Sequence, residues 1–226
     1  MKLFLISNSG HPLYDWCKED IADFVGRKVA TFISAATSYD LNEYFERAKS
    51  VLEPLGIKLI HLDLSKKPEL LVDRAEAFLV GGGNTHLLLS RLNNLKLISR
   101  IKSRVENGTL YVGLSAGANI AGPNILTTND WNILGSTTFE GLGLVPFNIN
   151  PHYVDPHEKK IFSGENRDER ILEYLEFNDN PVVALEEQTY LEVSESQVRV
   201  GGQGKVKVFV KGKEPKEFQS GKSIAF

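Results

Sequence analysis

The chain has 226 residues, of which 42% are hydrophobic and 24% charged, with a formal net charge of −3. That balance belongs to an ordinary globular domain; it excludes disorder as the main theme, and with no broad basic footprint it argues against nucleic acid as a partner. Cys17 is the sole thiol, so no internal disulfide forms; no apolar run approaches the roughly 18 residues that span a bilayer, and a cytoplasmic location with no membrane partner is the expectation.

In chain order, short β-type runs alternate with helical patterns. KLFLIS (2–7) predicts the first strand and 13–25 a helix; VATFISA (29–35) predicts the second strand, followed by a helix over 40–55. In that helix Leu41, Tyr44, Phe45, Ala48, Val51, Leu52 and Leu55 recur at three- and four-residue spacing, and Gly56 is the stop. IKLIHLDL (57–64) and AFLVGGG (77–83) predict two more strands, 84–93 and 95–107 two helices, and TLYVGLS (109–115) a fifth strand leading into a helix over 115–121. This rhythm predicts an α/β fold with a mostly parallel, doubly wound sheet. After a helix over 167–177, the runs VVAL, TYLEV, QVRV and KVKVFV follow without intervening helices, which predicts a C-terminal antiparallel meander. No repeat or long linker appears, so residues 1–226 are expected to form a single α/β domain.

The chemistry concentrates in TLYVGLSAGANIAG (109–122), where Gly113, Ser115 and Gly117 make a G-x-S-x-G turn from strand to helix. Glycines flank such a serine because the backbone bends sharply while strand and helix approach closely. The hydroxyl then stands above a helix N-terminus, and the amide of Ala116 is the natural oxyanion donor. The alternative is a phosphate cradle or mere close packing. A serine needs a base, and His152 in NINPHY (148–153) is the best placed of five histidines. His61 lies inside a strand pattern as a packed residue, and His157 in a polar stretch as a solvated one. The base needs an orienting acid, for which Glu187, after VVAL, and Asp130, in TTNDW, both qualify.

A second glycine-rich turn, FLVGGGNTHLL (78–88), offers Gly82 and Gly83 as further oxyanion donors, with Asn84 or Thr85 capping the next helix and touching substrate. It lacks the lysine and the spacing of a nucleotide-binding loop. No H-E-x-x-H or C-x-x-C spacing suggests a metal, so neither metal nor cofactor is expected.

Seven segments in order, SNS (7–9), VGGGNT (80–85), GLSAGAN (113–119), TTND (127–130), INPHY (149–153), GENRDER (164–170) and ALEE (184–187), resemble peptidase E, the α-aspartyl dipeptidase family of serine peptidases. The resemblance implies a sheet like that of the class I glutamine amidotransferases, of flavodoxin-like type, with Ser115 as nucleophile and His152 as base. For the third member it offers Glu187 and Asp130, of which Glu187 is favoured by its place at the carboxyl end of a strand, with Asp130 kept as the alternative. It also implies dipeptides with an N-terminal aspartate as substrates, whose β-carboxylate would meet Arg167 and whose α-ammonium would meet Glu165. Leu114 stands where the family pattern expects Trp. The rival expectations are a cyanophycinase-like β-aspartyl hydrolase and a non-catalytic small-molecule binder on the same scaffold. The chain is expected to work as a monomer or homodimer.

Overall fold

The computed structural model describes residues 1–155, 166–195 and 197–224. In its first half the strands are β1 (Leu3–Ile6), β2 (Val29–Ile33), β3 (Lys58–His61), β4 (Ala77–Val80) and β5 (Leu110–Leu114). They alternate with helices α1 (Lys18–Val25), α2 (Leu41–Leu52), α3 (Pro68–Arg74), α4 (Thr85–Asn94) and α5 (Ile98–Glu106). A single helical turn, α6 (Ala116–Asn119), follows β5 directly. The remainder is β6 (Asn148–Tyr153), α7 (Arg167–Phe177), β7 (Val182–Glu186), β8 (Thr189–Ser194), β9 (Gln197–Gly202), β10 (Val206–Phe209), β11 (Lys216–Phe218) and β12 (Ser223–Ile224).

Five parallel strands form the heart of an eight-stranded sheet in the order β12-β9-β8-β1-β5-β4-β2-β3, in which β8, β9 and β12 add on antiparallel. Side chains alternate between the two faces of a strand. Leu3 and Leu5 accordingly join one apolar cluster with α4 and α5, while Phe4 and Ile6 join another with α1 and α2. This two-sided burial explains why these strands read as continuous apolar runs. Each fully buried Leu, Ile, Val or Phe contributes about 1.5–3 kcal/mol relative to exposure, so the layered core is the main source of stability.

The C-terminal strands do not form one meander. They divide: β7, β10 and β11 join β6 in a separate four-stranded sheet of order β11-β10-β7-β6, while β8, β9 and β12 extend the main sheet. In the smaller sheet β6 and β7 are parallel, and β10 runs antiparallel to β7. One face of that sheet, with Val183, Leu185, Val206 and Val208, shares the large cluster of the main sheet. The other face, with Val182, Ala184 and Phe209, packs on Ile171 and Leu175 of α7. Helix α3, absent from the sequence reading, starts at Pro68, whose fixed φ suits a first helical position.

Candidate functional site

Strands β1, β4 and β5 lie side by side and parallel, so the segments after them, SNS, GGG and the Ser115 turn, gather at one edge of the sheet. Ligand sites of open α/β sheets collect at this edge. Ser115 takes φ +49° and ψ −104°, a conformation rare for a residue with a side chain, while its amide donates to Ile6 O at 2.8 Å. The flanking glycines have steric reasons. A Cβ on Gly113 would sit 2.5 Å from Gly117 O, and one on Gly117 would collide with the carbonyl oxygen of Val80. Tyr111, buried beneath the turn, donates its hydroxyl to Gly117 O at 2.6 Å and holds the start of α6.

The Ser115 Oγ lies 2.8 Å from His152 Nε2, and His152 Nδ1 lies 2.7 Å from Glu187 Oε1. A carboxylate only accepts, so Nδ1 carries the proton and Nε2 is left as the acceptor for the serine hydroxyl. His152 itself adopts φ +56° at the end of β6, where the register with β7 shifts between Asn150 and Tyr153. Two residues of the SNS segment maintain this arrangement. Buried Ser7 accepts from His152 N at 2.9 Å and donates to Leu185 O at 3.1 Å, linking the main sheet to both parallel strands of the smaller one. Asn8 Oδ1 accepts from the amide of Gln188 at 2.8 Å, which anchors the turn that carries Glu187.

Asp130 is placed elsewhere. Its Oδ2 accepts from Thr85 N at 2.7 Å, Thr85 Oγ1 at 2.6 Å and Thr128 Oγ1 at 3.2 Å, so the carboxylate caps the positive end of α4 and has no hydrogen bond to His152. Asn84 is likewise occupied: its Oδ1 accepts from Leu87 N at 3.0 Å and its Nδ2 donates to Trp131 O at 2.9 Å. Asn84 and Thr85 thus serve the helix end, and neither lines the cavity beside Ser115. The amide of Gly82 is also committed, donating to Tyr44 Oη at 3.0 Å. Among the amides near the serine, those of Gly83 and Ala116 have no acceptor among the described residues. Gly83 adopts φ +137°, and a Cβ there would strike Ala36 O, so only glycine fits.

Ser115, His152 and Glu187 open onto a cavity of about 820 Å³. Its other walls include His11, a weaker candidate base by sequence, and Tyr44 and Arg47, which lie in a helix with no catalytic motif to mark them. Arg47 projects from α2, the helix that also supplies Tyr44.

Arg167 opens α7 and lines a second crevice, of about 410 Å³, with Thr128, Asn129 and Asn150. It makes no hydrogen bond or ion pair with a described residue. Burial lowers its pKa from the ordinary arginine value, and the neighbouring positive Arg170 adds to this. Such a guanidinium gains from any anion that reaches it. Strand β6 joins the two openings, since Asn150 lines the crevice and His152 the cavity. Glu165 and His157 lie outside the described residues. His61 packs as expected, stacked on Phe45 at a centroid distance of 4.6 Å, with its Nε2 2.8 Å from Ser34 Oγ. Among the described residues no group of three or more His, Cys, Asp and Glu side chains is arranged to hold a metal ion, and no helix is long and apolar enough to cross a membrane.

Residues 3–201 match the family described as peptidase family S51. The chain belongs to this family. Over its full length it is 36% identical to a protein named peptidase E from Nostoc sp., covering 96% of that relative, and 36% identical to a peptidase E of Streptomyces coelicolor, covering 94% of it. A peptidase E of Salmonella arizonae is 37% identical, with 98% of this chain and 99% of the relative aligned. Among solved structures, a putative peptidase E from Listeria monocytogenes EGD-e superposes with a TM-score of 0.70 at 25% identity, covering 89% of this chain and 98% of that one. A peptidase from an acI-B1 actinobacterium shares the fold with a TM-score of 0.75 at 22% identity, over 100% of this chain and 96% of that one. The S51 member described here is therefore a hydrolase of the serine peptidase type.

Proposed function

We propose that this S51 peptidase hydrolyses dipeptides with an N-terminal aspartate through an acyl-enzyme on Ser115. The observation that carries the reading is the unbroken pair of hydrogen bonds from Ser115 Oγ to His152 Nε2, 2.8 Å, and from His152 Nδ1 to Glu187 Oε1, 2.7 Å. His152 removes the serine proton as Oγ attacks the peptide carbonyl. The tetrahedral oxyanion accepts hydrogen bonds from the amides of Ala116 and Gly83, each of a kind worth about 3 kcal/mol of transition-state stabilisation. The imidazolium, stabilised by Glu187, protonates the departing amine. Water, deprotonated by His152, then cleaves the ester and releases aspartate.

The aspartate preference rests on Arg167. A substrate β-carboxylate supplies an anion that this guanidinium does not find among the described residues, and a bidentate fork holds it better than a point charge. The leaving residue occupies the open cavity beside Gly83.

The test is a dipeptide panel varied at both positions. Aspartyl dipeptides should be cleaved far faster than their Asn or Ala counterparts, and Ser115→Ala should lose that activity while keeping its melting temperature. Undiminished turnover by Ser115→Ala would remove the acyl-enzyme. Preferential release from a β-aspartyl-arginine polymer would favour a cyanophycinase-like specificity instead.

A further inference from the structure

The cavity beside Ser115 carries a positive charge without a partner. Among its described lining residues Arg47 is the one arginine or lysine. It is exposed, and its side chain makes no hydrogen bond or ion pair with a described residue. Arg47 follows Tyr44 by three positions on α2, so the two side chains share a face of that helix. Tyr44 is seated on the glycine turn: a Cβ on Gly81 would lie 2.6 Å from its ring, and its Oη accepts from Gly82 N at 3.0 Å. Burial pushes the Tyr44 hydroxyl above its ordinary value, while the hydrogen bond from Gly82 and the charge of Arg47 act the other way. The guanidinium is therefore felt at the turn whose next amide, that of Gly83, faces the oxyanion.

The acids of the same cavity do not neutralise this charge. Asp40 accepts from Asn42 N at 2.8 Å and Glu43 N at 3.1 Å as the cap of α2, and Glu187 is held by His152. Glu43 lies one turn before Arg47, a spacing at which such side chains pair readily, yet the two form no ion pair. A substrate can supply the missing anion. In a dipeptide the α-carboxylate of the leaving residue lies one residue beyond the scissile bond, and one residue spans at most about 3.6 Å. With the carbonyl oxygen on the amides of Gly83 and Ala116, that carboxylate falls within the cavity that Arg47 lines. A longer peptide would bring a neutral peptide bond to the same place.

We propose that Arg47 receives the α-carboxylate of the leaving residue and so selects dipeptides by their free C-terminus. This rests on the reading under Proposed function for the path of the substrate and adds the residue that reads its far end. Arg167 then selects substrates by the first side chain, and Arg47 by their length.

The experiment measures kcat/KM for aspartyl-leucine and for aspartyl-leucinamide, which share the scissile bond and both side chains and differ in the terminal charge. Leucinamide is also the less basic leaving amine, so the quantity read is the change in the acid-to-amide ratio between enzymes. Arg47→Gln, at an exposed position, should lower that ratio by about fivefold, the upper end for an ion pair open to solvent, and chiefly through KM. Raising the ionic strength from about 0.1 M to about 1 M shortens the Debye length from about 10 Å to about 3 Å, and should lower the wild-type ratio while leaving that of the variant in place. An Arg47→Gln enzyme whose ratio is not below wild type overturns the inference, whether both substrates are slowed or neither. So does a wild-type ratio that salt leaves unmoved, or one that salt lowers equally in both enzymes. An enzyme that cleaves alanyl-leucine as fast as aspartyl-leucine overturns the specificity under Proposed function; the Arg47 ratio, then read on alanyl-leucine and its amide, still decides this inference.

Discussion

Ser115 and His152 face each other from two backbone positions, φ +49° and φ +56°, that residues with side chains seldom occupy. Such positions cost about 1–3 kcal/mol each and persist only where neighbours hold them. One of those holds is Ser7, whose Oγ accepts from His152 N at 2.9 Å. Ser7→Ala should lower kcat for aspartyl dipeptides by about tenfold with KM little changed, since a small displacement of the base penalises the transition state more than binding. Steady-state kinetics on the folded variant check this. Cys17 supplies a control on the nature of the nucleophile. It is fully buried, and burial pushes its thiol up to about 12, so iodoacetamide at pH 8 should leave activity intact. The G-x-S-x-G turn and a histidine closing an apolar run made Ser115 and His152 legible as partners. The commitment of Gly82 was not legible, because Tyr44 lies 38 positions away and reaches it only through the packing of α2.

Asp130 meets a helix end and Glu187 a turn between β7 and β8, and these places decide what each does. Asp130 offered itself in the sequence as an orienting acid because a carboxylate close to a serine in the chain suits either role. The fold gives it to the first turn of α4, where Thr85 N and Thr85 Oγ1 both donate to it. Asp130→Ala should therefore cost about 1–2 kcal/mol of stability, as the loss of a helix cap does, and only modestly affect kcat. Glu187→Gln should do the reverse, lowering kcat by about a hundredfold or more at nearly unchanged melting temperature, because the histidine loses the partner that fixes its tautomer. Thermal unfolding and kinetics on the two variants separate these roles. Close contact of elements governs the glycines. At Gly117 any side chain meets Val80 O, so Gly117→Ala should destabilise by about 1–3 kcal/mol through overpacking.

Across the whole molecule, the inner parallel strands β1, β2, β4 and β5 were readable because burial on both faces makes them largely apolar, whereas the edge strand β3 exposes Lys58 and Ile60. The partners of the C-terminal strands were not. An apolar run specifies a strand, yet pairing depends on contacts far away in the chain, and β7 and β8 enter different sheets although only two residues separate them. The smaller sheet is tied to α7 by Lys207, whose Nζ lies 2.7 Å from Asp168 Oδ2, while Tyr153 donates to Asp168 Oδ1 at 2.5 Å. This part-buried cluster connects the residue after Arg167 with the residue after His152, so it fixes both openings of the site relative to each other. Lys207→Met leaves Asp168 without its cation and should destabilise by about 3 kcal/mol, read from urea unfolding.

All of this turns on Ser115 being a nucleophile that His152 activates. The most direct measurement is intact mass and peptide mapping after exposure to a fluorophosphonate. One adduct per chain located on Ser115, absent from Ser115→Ala and slow to form in His152→Ala, is the result expected. An unreacted Ser115 in an enzyme that still cleaves peptides would contradict it.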